Sequence, residues 1–280
     1  MRASTATWLC ALTVVLVRTS CAADTGSSTD TRFANYAFAT ELGSGVYDIS
    51  GSTITVYTFE PDYRLRAAAP HGGRPGIRLI FPVTVGFFNF QTNDLLHLEL
   101  PHSIGALSFE PGVEFDWWMN DAWDLYPYVK VGGTFSSSQQ INAVIYGTGL
   151  RSDYRYDAFD GTGVWRAELT YAGVHYYQGD LPNESFTRLR NGIEWRHNVG
   201  RPFHDHELQL APYGMVDIYF NAPEGPASGI SARTAQFQAG VMLDISPKLK
   251  IFGMPLPRLG IGYLEGGVLS GWRLVLGDPF

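Results

Sequence analysis

The sequence predicts an all-β protein, a closed antiparallel up-and-down transmembrane β-barrel of about 12 strands, and three observations predict it. Period-two alternation of apolar and polar residues recurs from about residue 34 onward, whereas 3.6-residue periodicity is scarce. The alternating segments run about 13 to 15 residues, beyond the length usual in globular sheets and enough for a tilted bilayer crossing. Aromatic residues gather at the ends of the apolar faces, as Trp117, Trp123, Tyr171, Tyr177, Trp195 and Trp272 do, which suits a bilayer interface.

Composition closes the other routes. The 280 residues include 31 Gly, 7 Trp, 15 Tyr and 17 Phe, against 20 basic and 27 acidic residues, which excludes a disordered chain, a collagen-like fibre and a disulfide-stapled miniprotein. Mean hydropathy is close to zero. After residue 20 no run of about 18 apolar residues could cross a membrane as a helix, so any membrane role belongs to strands.

Arg2, the apolar stretch 6–17 and the small residues before Asp24 read as a secretory signal peptide over 1–23, leaving 24–280 as one barrel domain. Arg18 precedes Cys21 where a lipidation signal would carry an apolar residue. Both cysteines, Cys10 and Cys21, fall in the removed segment, so the exported chain is expected to hold no thiol, disulfide or thiolate metal site. Loss of Arg2 and Arg18 takes the net charge from −7 to −9, which disfavours nucleic acid as a partner.

Twelve strands are expected at about 34–47, 53–66, 76–89, 104–118, 125–137, 143–156, 163–177, 185–197, 207–221, 232–245, 249–263 and 268–280. The third sets Ile77, Leu79, Phe81, Val83 and Val85 against Arg78 and Thr84. In the fourth, Leu107, Phe109, Val113, Phe115 and Trp117 oppose Ser108, Glu110, Glu114 and Asp116. The seventh sets Trp165, Leu169 and Tyr171 against Arg166, Glu168 and Thr170, and the eighth sets Leu189, Ile193 and Trp195 against Arg188, Arg190, Glu194 and Arg196. One face of each is expected to meet lipid and the other water, so Arg at Leu169, Val113 or Val131 should cost about 2–4 kcal/mol, and far less at Thr170 or Ser108. An even strand number puts both ends of the barrel chain in the periplasm, with 119–123 and 246–248 as inner turns and 221–231 outside.

Proline resists this pattern. Pro61, Pro82, Pro111, Pro127, Pro212, Pro255 and Pro257 fall inside the expected strands, and each removes a ladder donor. Strand starts or bulges would accommodate Pro127 and Pro212, while Pro255 and Pro257 mark a kink or a boundary drawn too wide. A soluble exported all-β binding protein is the structural alternative.

Trp272, Leu274, Leu276 and Phe280 alternate up to residue 280, with Asp278 departing from the apolar run. This resembles the terminal-strand signature of bacterial outer-membrane β-barrel proteins, which the barrel-assembly machinery reads in that family. Leu-Tyr-Pro-Tyr (125–128) and Leu-Ala-Pro-Tyr (210–213) resemble strands common in autotransporter-like barrels. With no passenger-like segment, the chain is most similar to solitary outer-membrane autotransporter-like barrels. The resemblance implies a Gram-negative outer membrane, outer-membrane lipids and lipopolysaccharide as surroundings, and the assembly machinery as a partner of the last strand. It leaves the oligomeric state open.

Candidate chemistry is sparse. His175 lies on an apolar face near an outer strand end, and a symmetrical hairpin would set it opposite Thr187 with Ser185 nearby, the residue types of an activated nucleophile. Outer-membrane phospholipases and lipid A deacylases use such a lipid-facing pair. The chain lacks the phospholipases' histidine-x-serine-asparagine pattern, and an interfacial histidine needs no catalytic role, so a non-enzyme without cofactors is expected. His204-Asp205-His206, with His197 upstream, lacks a third secured ligand and reads as a solvated turn rather than a metal site.

The inward charges come nearest to mechanism. Glu110, Glu114 and Asp116 make an acidic side, and Arg151, Arg155, Arg166, Arg188, Arg190 and Arg196 a mainly basic one, offset by Asp153, Glu168 and Glu194. Across the lumen they either meet as an ion-pair network that plugs the barrel or leave water between them in a narrow channel for small solutes. Both readings, a channel and a structural envelope protein, rank ahead of the hydrolase.

Overall fold

The computed structural model describes residues 40–41, 43–49, 52–69, 73–88, 106–136, 141–177, 183–203, 206–220, 234–246, 250–251, 254–255, 258–266 and 269–280. The expected signal peptide 1–23, His204, Asp205 and the side chain of His206 lie outside them.

Alternation builds a wall that closes on itself. Among the described residues the barrel strands are β1 (Gly45–Ile49), β2 (Ser52–Phe59 and Asp62–Arg66), β3 (Gly76–Ile80 and Val83–Phe88), β4 (Ala106–Phe109 and Gly112–Trp118), β5 (Trp123–Ser136), β6 (Ile141–Ala158), β7 (Gly161–Tyr176), β8 (Glu184–Phe203), β9 (His206–Tyr219), β10 (Thr234–Ser246), β11 (Leu259–Gly266) and β12 (Leu269–Leu276). Each strand pairs antiparallel with the next, and β12 also pairs with β1 through Val46 and Trp272, so no edge is left. Closure leaves no strand with an edge of unpaired backbone groups, the condition that a wall in hydrocarbon would have to meet.

Three of the prolines act together. The ladder breaks at Glu60-Pro61, Phe81-Pro82 and Glu110-Pro111, in three neighbouring strands. Across the breaks the Pro61, Pro82 and Pro111 carbonyls still accept from the Phe81, Glu110 and Val131 amides at 2.9, 3.0 and 3.0 Å. Only the donor that each ring lacks is missing, so the breaks line up as one seam. Pro127 and Pro212, expected at strand starts or bulges, stand inside unbroken strands opposite Leu150 and Val241.

The ends depart from the expected bounds for local reasons. Thr40 and Glu41 form helical turn rather than strand, and Gly43, with φ of +77°, redirects the chain before β1 begins at Gly45. β11 starts at Leu259 rather than near 249, because Lys250–Ile251 and Met254–Pro255 pair as a separate small ribbon. β12 ends at Leu276, where Gly277 takes a φ of +97° that leaves the wall, and Pro279 has no amide to rejoin a ladder.

The outer face is apolar with aromatic ends. Trp123, Tyr154 and Trp165 pair side by side across β5, β6 and β7, and Tyr263 meets Trp272 edge-on at 5.2 Å. Leu210, Leu243, Leu259 and Leu276 pair in turn around β9 to β12, all exposed.

Candidate functional site: the charged lumen

Inward positions of the long strands stack in three storeys. At the mouth away from β12's end, Ala143, Ile145, Val174, Phe186 and Tyr219 bury one another. At the mouth where β12 ends, Ala211, Tyr213, Met215, Met242 and Val275 do the same, with Phe280 against them. Between them stand the charges.

The polar faces point inward, and most of their charges meet protein rather than water, while Arg155 and Arg196 keep 44% and 36% of their side chains exposed. Arg188 is 1% exposed, Glu194 1% and Glu114 3%. Most partners sit on adjacent strands. Arg166 on β7 forks onto both Asp153 oxygens of β6 at 2.6 Å, and Arg190 on β8 does the same with Asp217 of β9 at 2.7 Å. Arg155 pairs with Asp124, Arg196 with Glu194 at 2.5 Å, Arg151 with Glu114 at 3.1 Å and Lys130 with Glu110 at 3.2 Å. The expected opposition of an acidic and a basic side is therefore largely settled along the wall, since cross-strand neighbours lie closer than groups across the lumen. Asp116 makes no ion pair among the described residues, and its Oδ1 is buried without a hydrogen-bond partner.

Glu41 supplies the missing span. Its carboxylate accepts from Lys130 Nζ at 2.5 Å and Arg188 Nη2 at 2.8 Å, while Arg188 Nη1 reaches the Glu41 carbonyl at 3.2 Å. Arg188 also faces Glu168 at 3.6 Å, and the Tyr128 hydroxyl donates to Glu168 at 2.8 Å. One carboxylate from the chain ahead of β1 thus joins β5 to β8. Thr170 and Ser108, expected to tolerate Arg, are buried in this packing, Thr170 within 3.0 Å of Tyr128 and Ser108 donating to Thr134 at 2.9 Å. A longer side chain has no room there.

The tail beyond Gly277 corrects the terminal-strand reading. Trp272, Leu274 and Leu276 face outward, but Phe280 does not share their face. Its ring lies inside against Tyr213 at 6.3 Å and under the Arg166 guanidinium at 5.1 Å, where a side chain at Gly192 would collide with it. Asp278 is held by Arg258 at 2.9 Å and Arg166 at 3.6 Å. Desolvation by the surrounding wall works against its charge, but Arg166 and Arg258 outweigh it and hold the carboxyl down at about 2.

The outward candidates come close without meeting. The β7–β8 register sets Ser185 opposite Gly173 and Thr187 opposite Tyr171, which leaves His175 past the last pair, Val174 with Glu184. The hairpin is therefore not the symmetrical one expected, and the His175 ring meets Tyr177 edge-on at 5.6 Å. His197 stacks on Trp195 at 5.2 Å.

Sequence reasoning missed Glu41, Asp124, Lys130, Asp217, Arg258 and Arg273 as members of the lumen. Asp217 and Arg273 were accessible to it, since each alternates with outward residues, Ile218 in β9 and Trp272 and Leu274 in β12.

No family model matches the sequence, and no curated protein matches it either. Among solved structures, the chain is similar to the β domain of the Bordetella autotransporter BrkA, at 13% identity and a TM-score of 0.51, covering 82% of this chain and 92% of that one. It also aligns with the siderophore receptor PirA from Pseudomonas aeruginosa, at 10% identity and a TM-score of 0.34, over 83% of this chain and 38% of the receptor. The first likeness is one of fold, a closed antiparallel barrel.

Proposed function

We propose that this protein is an integral barrel of the bacterial outer membrane, a structural envelope component whose lumen is closed by its own charges rather than an open channel. The observation that carries the reading is Glu41 clasped by Lys130 and Arg188 across the lumen, with apolar storeys above and below it. Twelve strands enclose more space than the filled eight-strand kind, and here arginines, tyrosines and two chain segments occupy it. Outer-membrane lipids and lipopolysaccharide surround the outer face, and the barrel-assembly machinery engages β12 through Trp272, Leu274 and Leu276. Catalysis has no part in this reading. Reconstitution in planar bilayers tests it: the barrel should give no resolved conductance steps, and Glu41→Ala with Lys130→Ala should introduce them. Steady single-channel conductance from the unaltered protein would instead establish a solute channel.

A further inference from the structure

Arg273 differs from the other lumen cations. Arg166, Arg188, Arg190 and Arg258 each face a carboxylate, whereas Arg273, 7% exposed, has none among the described residues. Its Nη1 donates to two neutral oxygens, Gln238 Oε1 at 3.0 Å and the Pro279 carbonyl at 3.1 Å. Its Nε is buried without a partner. The unused edge, Nε with Nη2, is the one that grips an oxyanion with two parallel bonds. That edge faces Gly43, where a Cβ would lie 2.7 Å from Nη2 and 3.0 Å from Nε, so only glycine leaves space against it. A buried cation without a counter-charge is costly, and an arriving anion would remove that cost.

The tail lies against the same guanidinium, and it is held as an anionic ligand would be. Its three residues are held by three arginines from different parts of the wall: Asp278 by Arg258, the Pro279 carbonyl by Arg273 and the Phe280 ring by Arg166. We propose that this arginine-lined mouth is a binding site for a small oxyanion, a carboxylate or a phosphate, and that residues 278–280 are its built-in competitor. Entry of the anion displaces the tail, and Arg273 exchanges a neutral carbonyl for a charged acceptor.

The inference goes beyond the closed-lumen reading, and calorimetry on the full chain folded in detergent reads it whether or not the barrel conducts. Succinate and inorganic phosphate are titrated separately at constant ionic strength into the unaltered protein, Asp278→Asn with Phe280→Ala, and that double variant carrying Arg273→Lys. The double variant should bind one or both probes about tenfold more tightly than the unaltered protein, because nothing competes. Heat with succinate alone identifies a carboxylate site, and heat with phosphate alone a phosphate site. Arg273→Lys keeps the buried charge and so the fold, but loses the two-pronged edge, and should bind at least tenfold more weakly. Binding of neither probe by the double variant, no gain over the unaltered protein, or full affinity with lysine at 273 would overturn the proposal.

Discussion

The wall over β2 to β4 and the wall over β6 to β9 differ in outline and in filling. The first is cut by the proline seam, and behind it Arg78 reaches Glu114 and the half-exposed Asp62 only at 3.5 Å. The second runs for 14 to 20 residues per strand, its register shifting only towards the end of β8 between Asn198 and Phe203, around Pro202, and behind its regular stretch stand the two bidentate pairs at 2.6 to 2.7 Å. Continuous ladders hold neighbouring Cβ atoms in fixed register, which a planar guanidinium needs to fork onto a carboxylate. Where the ladder is cut, the same residue types make looser contacts. The barrel thus joins a rigid half to a pliable one.

Breaking pairs in the two halves should expose the largest difference. Asp217→Ala leaves Arg190 buried without its carboxylate and should cost about 3–5 kcal/mol. Asp62→Ala, at an exposed pair, should cost about 1 kcal/mol or less, both read from urea unfolding of the folded barrel in lipid vesicles. Similar costs would abolish the distinction.

The outer face should ignore it. Leu169→Arg in the rigid half and Val113→Arg in the pliable half should each cost about 2–4 kcal/mol near the bilayer midplane in the same assay. A much smaller cost at Val113 would mean that the seam lets the bilayer or water deform around the charge.

Acid should act through the tail, which is tied to the rigid half by Arg166. The folded carboxyl of Asp278 lies at about 2, below its unfolded value of about 3.9. Its contribution is therefore present above pH 4 and lost as pH falls towards 2. Proteolytic access to residues 278–280 should rise in that window, and Asp278→Asn should remove the pH dependence. Unchanged access between pH 5 and pH 2 would detach the tail from its arginines.

The smallest effect belongs to the seam itself. Pro82→Ala returns one donor and should add about 1 kcal/mol at most. Hydrogen exchange at the amides of Phe81, Glu110 and Val131 should be faster than at β7 amides in the unaltered barrel and slow at Glu110 in the variant.

Legibility followed locality. Alternation in β3 to β10 is a property of neighbouring residues, so faces and pairing order could be read from it. The destination of a face could not, because Arg188 looks the same in sequence whether it meets water or Glu41, 147 positions away. Residues 34–47 alternate well enough to read as strand, and nothing nearby announces that Glu41 belongs inside. The tail did carry a sign. Gly277, Asp278 and Pro279 form a turn-prone run directly before Phe280, and the departure at Asp278 was the visible part of it.

Gly277 also sets an order of events. The groups that receive the tail come from β7, β8, β9 and β12 and from the residue before β11, and they face one another only when a lumen exists. That lumen forms when β12 zips to both β11 and β1, the contact of longest sequence separation in the wall. Residues 278–280 can settle only afterwards. Closing the wall and filling its mouth are then two steps separated in time, and a freshly closed barrel passes through a moment when its mouth is still open.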